Sequence, residues 1–278
     1  MLSSVKHILI PTDFSVSAKK ASFYAGAIAE KYNSKITLLN VIEPPFNFPT
    51  NIEGVIDYLK ENAEQHLDKM EKEIKEKYPG KDIKVRKQIR IGKPVSQILE
   101  AIGDSKVDLV VMGSVTGSNK SEILFGSVSG KIMMSSVKPV LLIPEKADDL
   151  IFENLLFATN FRPGDFKNLK DLTGFANTFG SNIHLLHVAK KKDLETEIKF
   201  RGIKDLVTEK ELIKNIKFSL VINTDTIYAV SNYVDSESIN IIVMNRYKKS
   251  VLDSLINEDH TMKMRIYSEI PILIMPGE

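Results

Sequence analysis

The chain has 278 residues, 43% hydrophobic and 27% charged, and its 38 basic and 36 acidic side chains leave a formal net charge of +2. Such a balance sets up no strong field for nucleic acid or an anionic membrane. The absence of cysteine excludes disulfides, thiolate zinc sites and cysteine nucleophiles. The first residues, Met1 to His7, lack the basic segment, apolar stretch and small-residue cleavage site of a signal peptide, and no apolar run approaches the ~18 residues of a membrane span. The expectation is a cytoplasmic protein with neither a membrane nor a nucleic-acid partner.

Short apolar runs then alternate with helical patterns. Strands are expected at Lys6–Pro11, Lys35–Val41, Ile83–Ile89, Val107–Met112 and Val140–Ile143. Those around Leu9, Val110 and Leu141 are apolar almost throughout, as strands covered on both faces are. Between them, Ala21, Ala25, Ile28 and Ala29 form one helix face. Ile56, Leu59, Ala63, Leu67, Met70 and Ile74 form another, stopped by Pro79-Gly80. Pro94 opens a third helix carrying Ile98, Leu99 and Ile102. This alternation argues for a parallel, doubly wound α/β sheet with right-handed crossovers.

The pattern then repeats. Lys6 to Phe14 reads against Glu153 to Phe161, and Ile36 to Val41 against Ile183 to Val188, both at an offset of 147. Asp108 to Met112 matches Asn240 to Met244, and Pro139 to Pro144 matches Pro271 to Pro276, both at an offset of 132. Four matches in order, with one net deletion of 15 residues, mark a duplication joined near Glu145 to Phe152. The expected domains are 1–146 and 151–278.

In such sheets ligands sit beyond the carboxyl ends of the strands, where the strand order reverses. Two strand ends of the first copy have suitable chemistry. The first ends in Pro11-Thr12-Asp13-Phe14-Ser15. The fourth ends in Met112-Gly113-Ser114-Val115-Thr116-Gly117, followed by a polar loop and by Gly126-Ser127-Val128-Ser129 opening a helix. Flanking glycines let a backbone approach a ligand, and a helix start aims free N–H groups at phosphate. Each residue also has a plainer role open to it. Asp13 suits capping the helix entering at Ser15, Gly113 a tight turn, and Gly126-Ser127 a simple helix start. The run Gly126-x3-Gly130-Lys131-Ile132 has the wrong glycine spacing and no Ser or Thr for magnesium, so it is not an NTPase phosphate loop.

At these residues the chain resembles the universal stress protein family, and in particular its nucleotide-binding branch. That branch carries an Asp after the first strand and a G-x2-G-x9-G-[ST] motif after the fourth. Here the motif reads Gly113-x2-Thr116-x9-Gly126-Ser127, with Thr116 in place of the middle glycine. A β-branched residue there disfavours positive φ, so either Thr116 blocks the phosphate loop or Gly117, one residue later, makes the turn instead. The resemblance runs over nearly the whole chain, twice. It implies two tandem, doubly wound, parallel five-stranded sheets, Rossmann-like, of strand order 3-2-1-4-5 and flanked by helices. It implies adenine near Pro11, Thr12, Asp13 and the Val41 backbone, with Met112 and Val115 also binding the nucleotide and Thr116, at the motif's middle position, lying by the phosphates. Phosphates of ATP, ADP or AMP, with or without Mg2+, would lie over Gly113, Gly126, Ser127, Val128 and Ser129. A homodimer, or pairing of the two domains within one chain, is the expected partnership.

The second copy departs from that pattern. Asn160 stands for Asp13, Asn245 for Gly113, and Glu258-Asp259 for Gly126-Ser127, so its site is expected to be degenerate. Its His184 and His187, three apart in a strand, should face opposite sides, and none of the five histidines has metal-ligand spacing. Lys190 to Lys192 read as a solvated loop. The segment Pro44 to Pro49 reads either as a lid over the crevice or as a packing surface for a partner. No general base or nucleophile stands beside the phosphate loop, so a slow ATP hydrolase ranks below nucleotide binding and below a nucleotide-free interaction module. No catalytic and no metal residue is assigned.

Overall fold

The computed structural model describes residues 2–44, 52–80, 82–104, 106–114, 127–147, 150–209, 215–247 and 269–277. The chain forms two compact units, one of Val5–Glu145 and one of Lys146–Glu278 together with Met1–Ser4.

The first unit runs β1 (His7–Thr12), α1 (Val16–Tyr32), β2 (Lys35–Ile42), α2 (Ile52–Lys77), β3 (Val85–Ile91), α3 (Pro94–Asp104), β4 (Leu109–Ser114), α4 (Ser127–Ser135) and β5 (Val140–Pro144). Its strands are all parallel, in the order β3-β2-β1-β4-β5. The second unit runs β6 (Asn154–Ala158), α5 (Pro163–Phe179), β7 (Asn182–Ala189), α6 (Leu194–Glu209), β8 (Ile216–Ile222), α7 (Thr226–Ser236), β9 (Ile241–Arg246) and β10 (Ile272–Pro276). Its parallel strands follow the equivalent order, β8-β7-β6-β9-β10.

Helices cover the central strands on both faces, so β1, β4 and β5 bury almost every side chain, as their apolar sequences require. Ala21, Ala25, Ile28 and Ala29 of α1 and Ala63, Leu67, Met70 and Ile74 of α2 are all buried. The strand limits differ from the sequence expectation by one or two residues, most at β3 and at β4, which runs Leu109–Ser114 and not Val107–Met112. The third strand begins at Val85 and not Ile83, and continues to Ile91 through Arg86, Lys87 and Arg90. It lies at the outer edge of the sheet, where charged side chains are tolerated and discourage edge-to-edge pairing, so the apolar run is a poor guide to its limits.

The duplication extends to backbone strain. Phe14 and Phe161, Asn33 and Gly180, and Lys106 and Ser238 pair at the two sequence offsets. All six hold positive φ, at 63° and 57°, 56° and 70°, and 46° and 50° respectively. Such conformations are uncommon for residues other than glycine. Their recurrence shows that the two copies keep the same turns as well as the same strands.

Candidate functional site

In the first unit the chain order reverses between β1 and β4, which opens a crevice at their carboxyl ends. The turn leaving β1 is tied by its own side chains. Thr12 Oγ1 accepts from Phe14 N (3.0 Å), Asp13 Oδ1 accepts from Ser15 N (3.0 Å), and Ser15 Oγ caps α1 by accepting from Ala18 N (3.3 Å). The helix cap is therefore Ser15, and Asp13 makes an Asx turn just before it. The second carboxylate oxygen of Asp13 has no partner among the described residues. Phe14, at φ 63°, lays its ring on His66 of α2 at 4.9 Å between centroids.

Gly113 lies inside β4, paired with Ile143, so a tight turn is not its role. A Cβ at this position would come within 2.5 Å of Ala18 N and 2.6 Å of Ser17 C. Glycine is needed there because the end of β4 lies directly against the first turn of α1. Opposite, α4 starts at Ser127 with no acidic residue in its first turn. The N–H groups of that turn have no intrahelical partners and carry the positive end of the helix dipole.

These elements enclose a cleft of ≈ 460 Å³. Pro11, Thr12, Asp13, Val41, Met112, Gly113, Ser127, Val128 and Ser129 all line it. Val115, Thr116 and Gly126, and the segment 45–49, lie outside the described residues. The cleft also has five walls that the motif does not name: Ala18, Leu39, Asn40, Pro94 and Ile98. Asn40 could have been found from register, because it sits opposite Thr12 in the β1–β2 ladder and next to Val41. Among the described lining residues, Asp13 is the one charged side chain.

At the equivalent junction of the second unit, between β9 and α5, buried polar side chains replace small ones. Asp165 and Asn168 stand where the first unit has Ala18 and Ala21, and Asn245 stands where it has Gly113. The Asp165 carboxylate is 1% exposed. It accepts from Thr159 Oγ1 (2.7 Å), Asn160 N (3.0 Å) and Arg162 N (3.1 Å), and from Asn245 Nδ2. Asn168 Nδ2 donates to Asn245 Oδ1 (2.8 Å) and to the Pro276 carbonyl (3.0 Å). The Tyr247 ring adds to this cluster. A Cβ on Gly164 would meet its hydroxyl at 2.0 Å, and the Arg162 guanidinium lies 5.1 Å from its centroid. Glu258 and Asp259, which carry the contrast in the sequence, lie outside the described residues.

The description "universal stress protein family" belongs to the family model that matches residues 4–144, just over half of the chain. The chain belongs to this family. Among relatives, universal stress protein MJ0577 of Methanocaldococcus jannaschii is 31% identical over 155 residues, which are 51% of this chain and 96% of that protein. Universal stress protein MJ0531 of the same organism is 29% identical over 142 residues, 50% of this chain and 81% of its own. The crystal structure of a universal stress protein from Archaeoglobus fulgidus DSM 4304 covers 99% of this chain and 98% of its own, with a TM-score of 0.78 at 22% identity. Its likeness is one of fold.

Within this universal stress protein, the two histidines of β7 lie on opposite faces. His187 Nδ1 donates to the Thr159 carbonyl (2.7 Å) and its ring packs on Phe161 at 4.0 Å. His184 Nδ1 meets the Tyr233 hydroxyl (3.2 Å), with Glu237 at 3.8 Å. Burial pushes both imidazoles below the usual histidine pKa, against the pull of Glu237 on His184 and of the Thr159 carbonyl on His187. Among the described residues no three His, Asp or Glu side chains are grouped to hold a metal, and no helix is long and apolar enough to cross a membrane.

Proposed function

We propose that this stress protein binds one adenine nucleotide, ATP, ADP or AMP, in its first unit, and that it acts as a cytoplasmic regulatory module. One observation carries the reading: nine residues singled out from the sequence line a single cleft, while at the equivalent β9–α5 junction of the second unit buried polar side chains stand in place of the glycine and the alanines. The volume, ≈ 460 Å³, falls within the range of small-ligand pockets. Leu39, Pro94, Ile98 and Met112 supply apolar walls for a purine, the free Asp13 oxygen is an acceptor for a ribose hydroxyl, and the first turn of α4 faces the phosphates. Any magnesium would arrive with those phosphates.

A second reading, a module that has kept the fold without the ligand, has one observation in its favour. Among the described lining residues no cation offsets Asp13. Denaturing the purified protein and measuring adenine absorbance in the released fraction separates the two. Released adenine nucleotide supports the first reading; none released, together with no binding of added ATP, supports the second.

A further inference from the structure

Asn40 is more than nine-tenths buried, lines the cleft, and belongs to none of the motifs that mark the site. Its Nδ2 lies 2.9 Å from the Thr12 carbonyl. A carbonyl only accepts, so the group facing it must be the NH2 end of the amide, and the orientation of Asn40 is fixed without ambiguity. The other end, Oδ1, has no partner among the described residues. It is not among the sealed, unpartnered polar atoms either, so its open side is the cleft.

The second unit shows what this position does when no ligand is served. His187 replaces Asn40 and donates to the equivalent carbonyl, that of Thr159, and the Phe161 ring covers it. In the first unit the equivalent ring, Phe14, packs on His66 of α2 instead. The tie to the β1 carbonyl is therefore structural and common to both copies. In the first copy a primary amide makes this tie, and its oxygen is left toward the cleft.

We propose that Asn40 sets the base specificity of the cleft, its fixed Oδ1 selecting a heterocycle that presents an exocyclic amino group and rejecting one that presents a keto oxygen. This inference rests on the nucleotide reading above. An amino group donates to Oδ1. A 6-oxo purine would set oxygen against oxygen and leave a mostly desolvated acceptor unpaired, which is costly. A site built to bond a ligand N–H discriminates far more sharply than an apolar pocket of the same shape does.

ATP and ITP test this directly, because they differ at purine C6 in carrying an amino or an oxo group. For the unmodified chain, titration calorimetry should show ATP binding at least about tenfold tighter than ITP. In Asn40→Leu, of similar volume, the ratio should fall toward unity, chiefly through weaker ATP binding, with folding checked by thermal melt. If that variant does not fold, the ratio in the unmodified chain decides alone. Equal affinities there overturn the role of Asn40 and leave nucleotide binding standing. A tenfold preference retained by folded Asn40→Leu likewise overturns it. Binding of neither nucleotide overturns both readings.

Discussion

At Gly113 the missing side chain lets the end of β4 rest on the backbone of Ser17 and Ala18, and those atoms cannot rotate out of the way. Gly113→Ala should therefore destabilise the first unit by about 1–3 kcal/mol, the usual cost of overpacking, as read by urea denaturation. Unchanged stability would mean that α1 can shift to accept a methyl group. The second unit meets the same junction differently, having exchanged glycine and two alanines for Asn245, Asp165 and Asn168 and bonded them to one another. Asp165→Ala leaves several buried donors without an acceptor, so it should cost on the order of 3 kcal/mol. Nucleotide affinity should stay unchanged in that variant; a loss would show that the second crevice takes part in binding.

The elements most exposed to test are α4 and β7. Ser127→Asp places a carboxylate in the first turn of α4, where the helix dipole favours it and the fold should survive. The same charge faces incoming phosphate, so ATP affinity should fall by at least about tenfold, as measured by calorimetry, while thermal stability holds. In β7, His184 and His187 titrate below the ordinary histidine range because they are buried. Below roughly pH 6.5 the unfolded chain takes up protons that the folded chain does not, so stability is full above that pH and falls as the pH drops through it. The melting temperature should decline as the pH falls below about 6.5, and the decline should shrink in His187→Asn, which installs the first unit's residue. A pH-independent melting temperature would contradict this. Strand alternation, the repeat and the positions of β1, β2, β4 and β5 were legible in the sequence because buried parallel strands are nearly all apolar. The limits of β3 and β4 were not: each lies two residues later than its apolar run, β3 because an edge strand mixes charge with apolar residues and β4 because Gly113 and Ser114 continue it. Eight of the nine described residues that line the cleft were legible through glycine and strand-end chemistry, and Val41 only through the family resemblance. Asn40, Pro94 and Ile98 were not, since they reach the cleft from β2 and α3 through register and packing, which leave no local signature. The reason for Gly113 and the cluster around Asn245 and Tyr247 depend on contacts between residues far apart in the chain, and these the sequence hides.

Over the whole molecule, one duplicated fold has diverged into two kinds of crevice. The first unit keeps small residues, Gly113, Ala18 and Ala21, where β4 meets α1, and it retains a lined cleft; the second fills the same junction with buried polar side chains. Keeping both units therefore should not give two equivalent sites. The stoichiometry of nucleotide binding reads this asymmetry out. Titration of magnesium-ATP into the intact chain should give one site per chain, whereas two sites would show that both crevices bind and none that neither does.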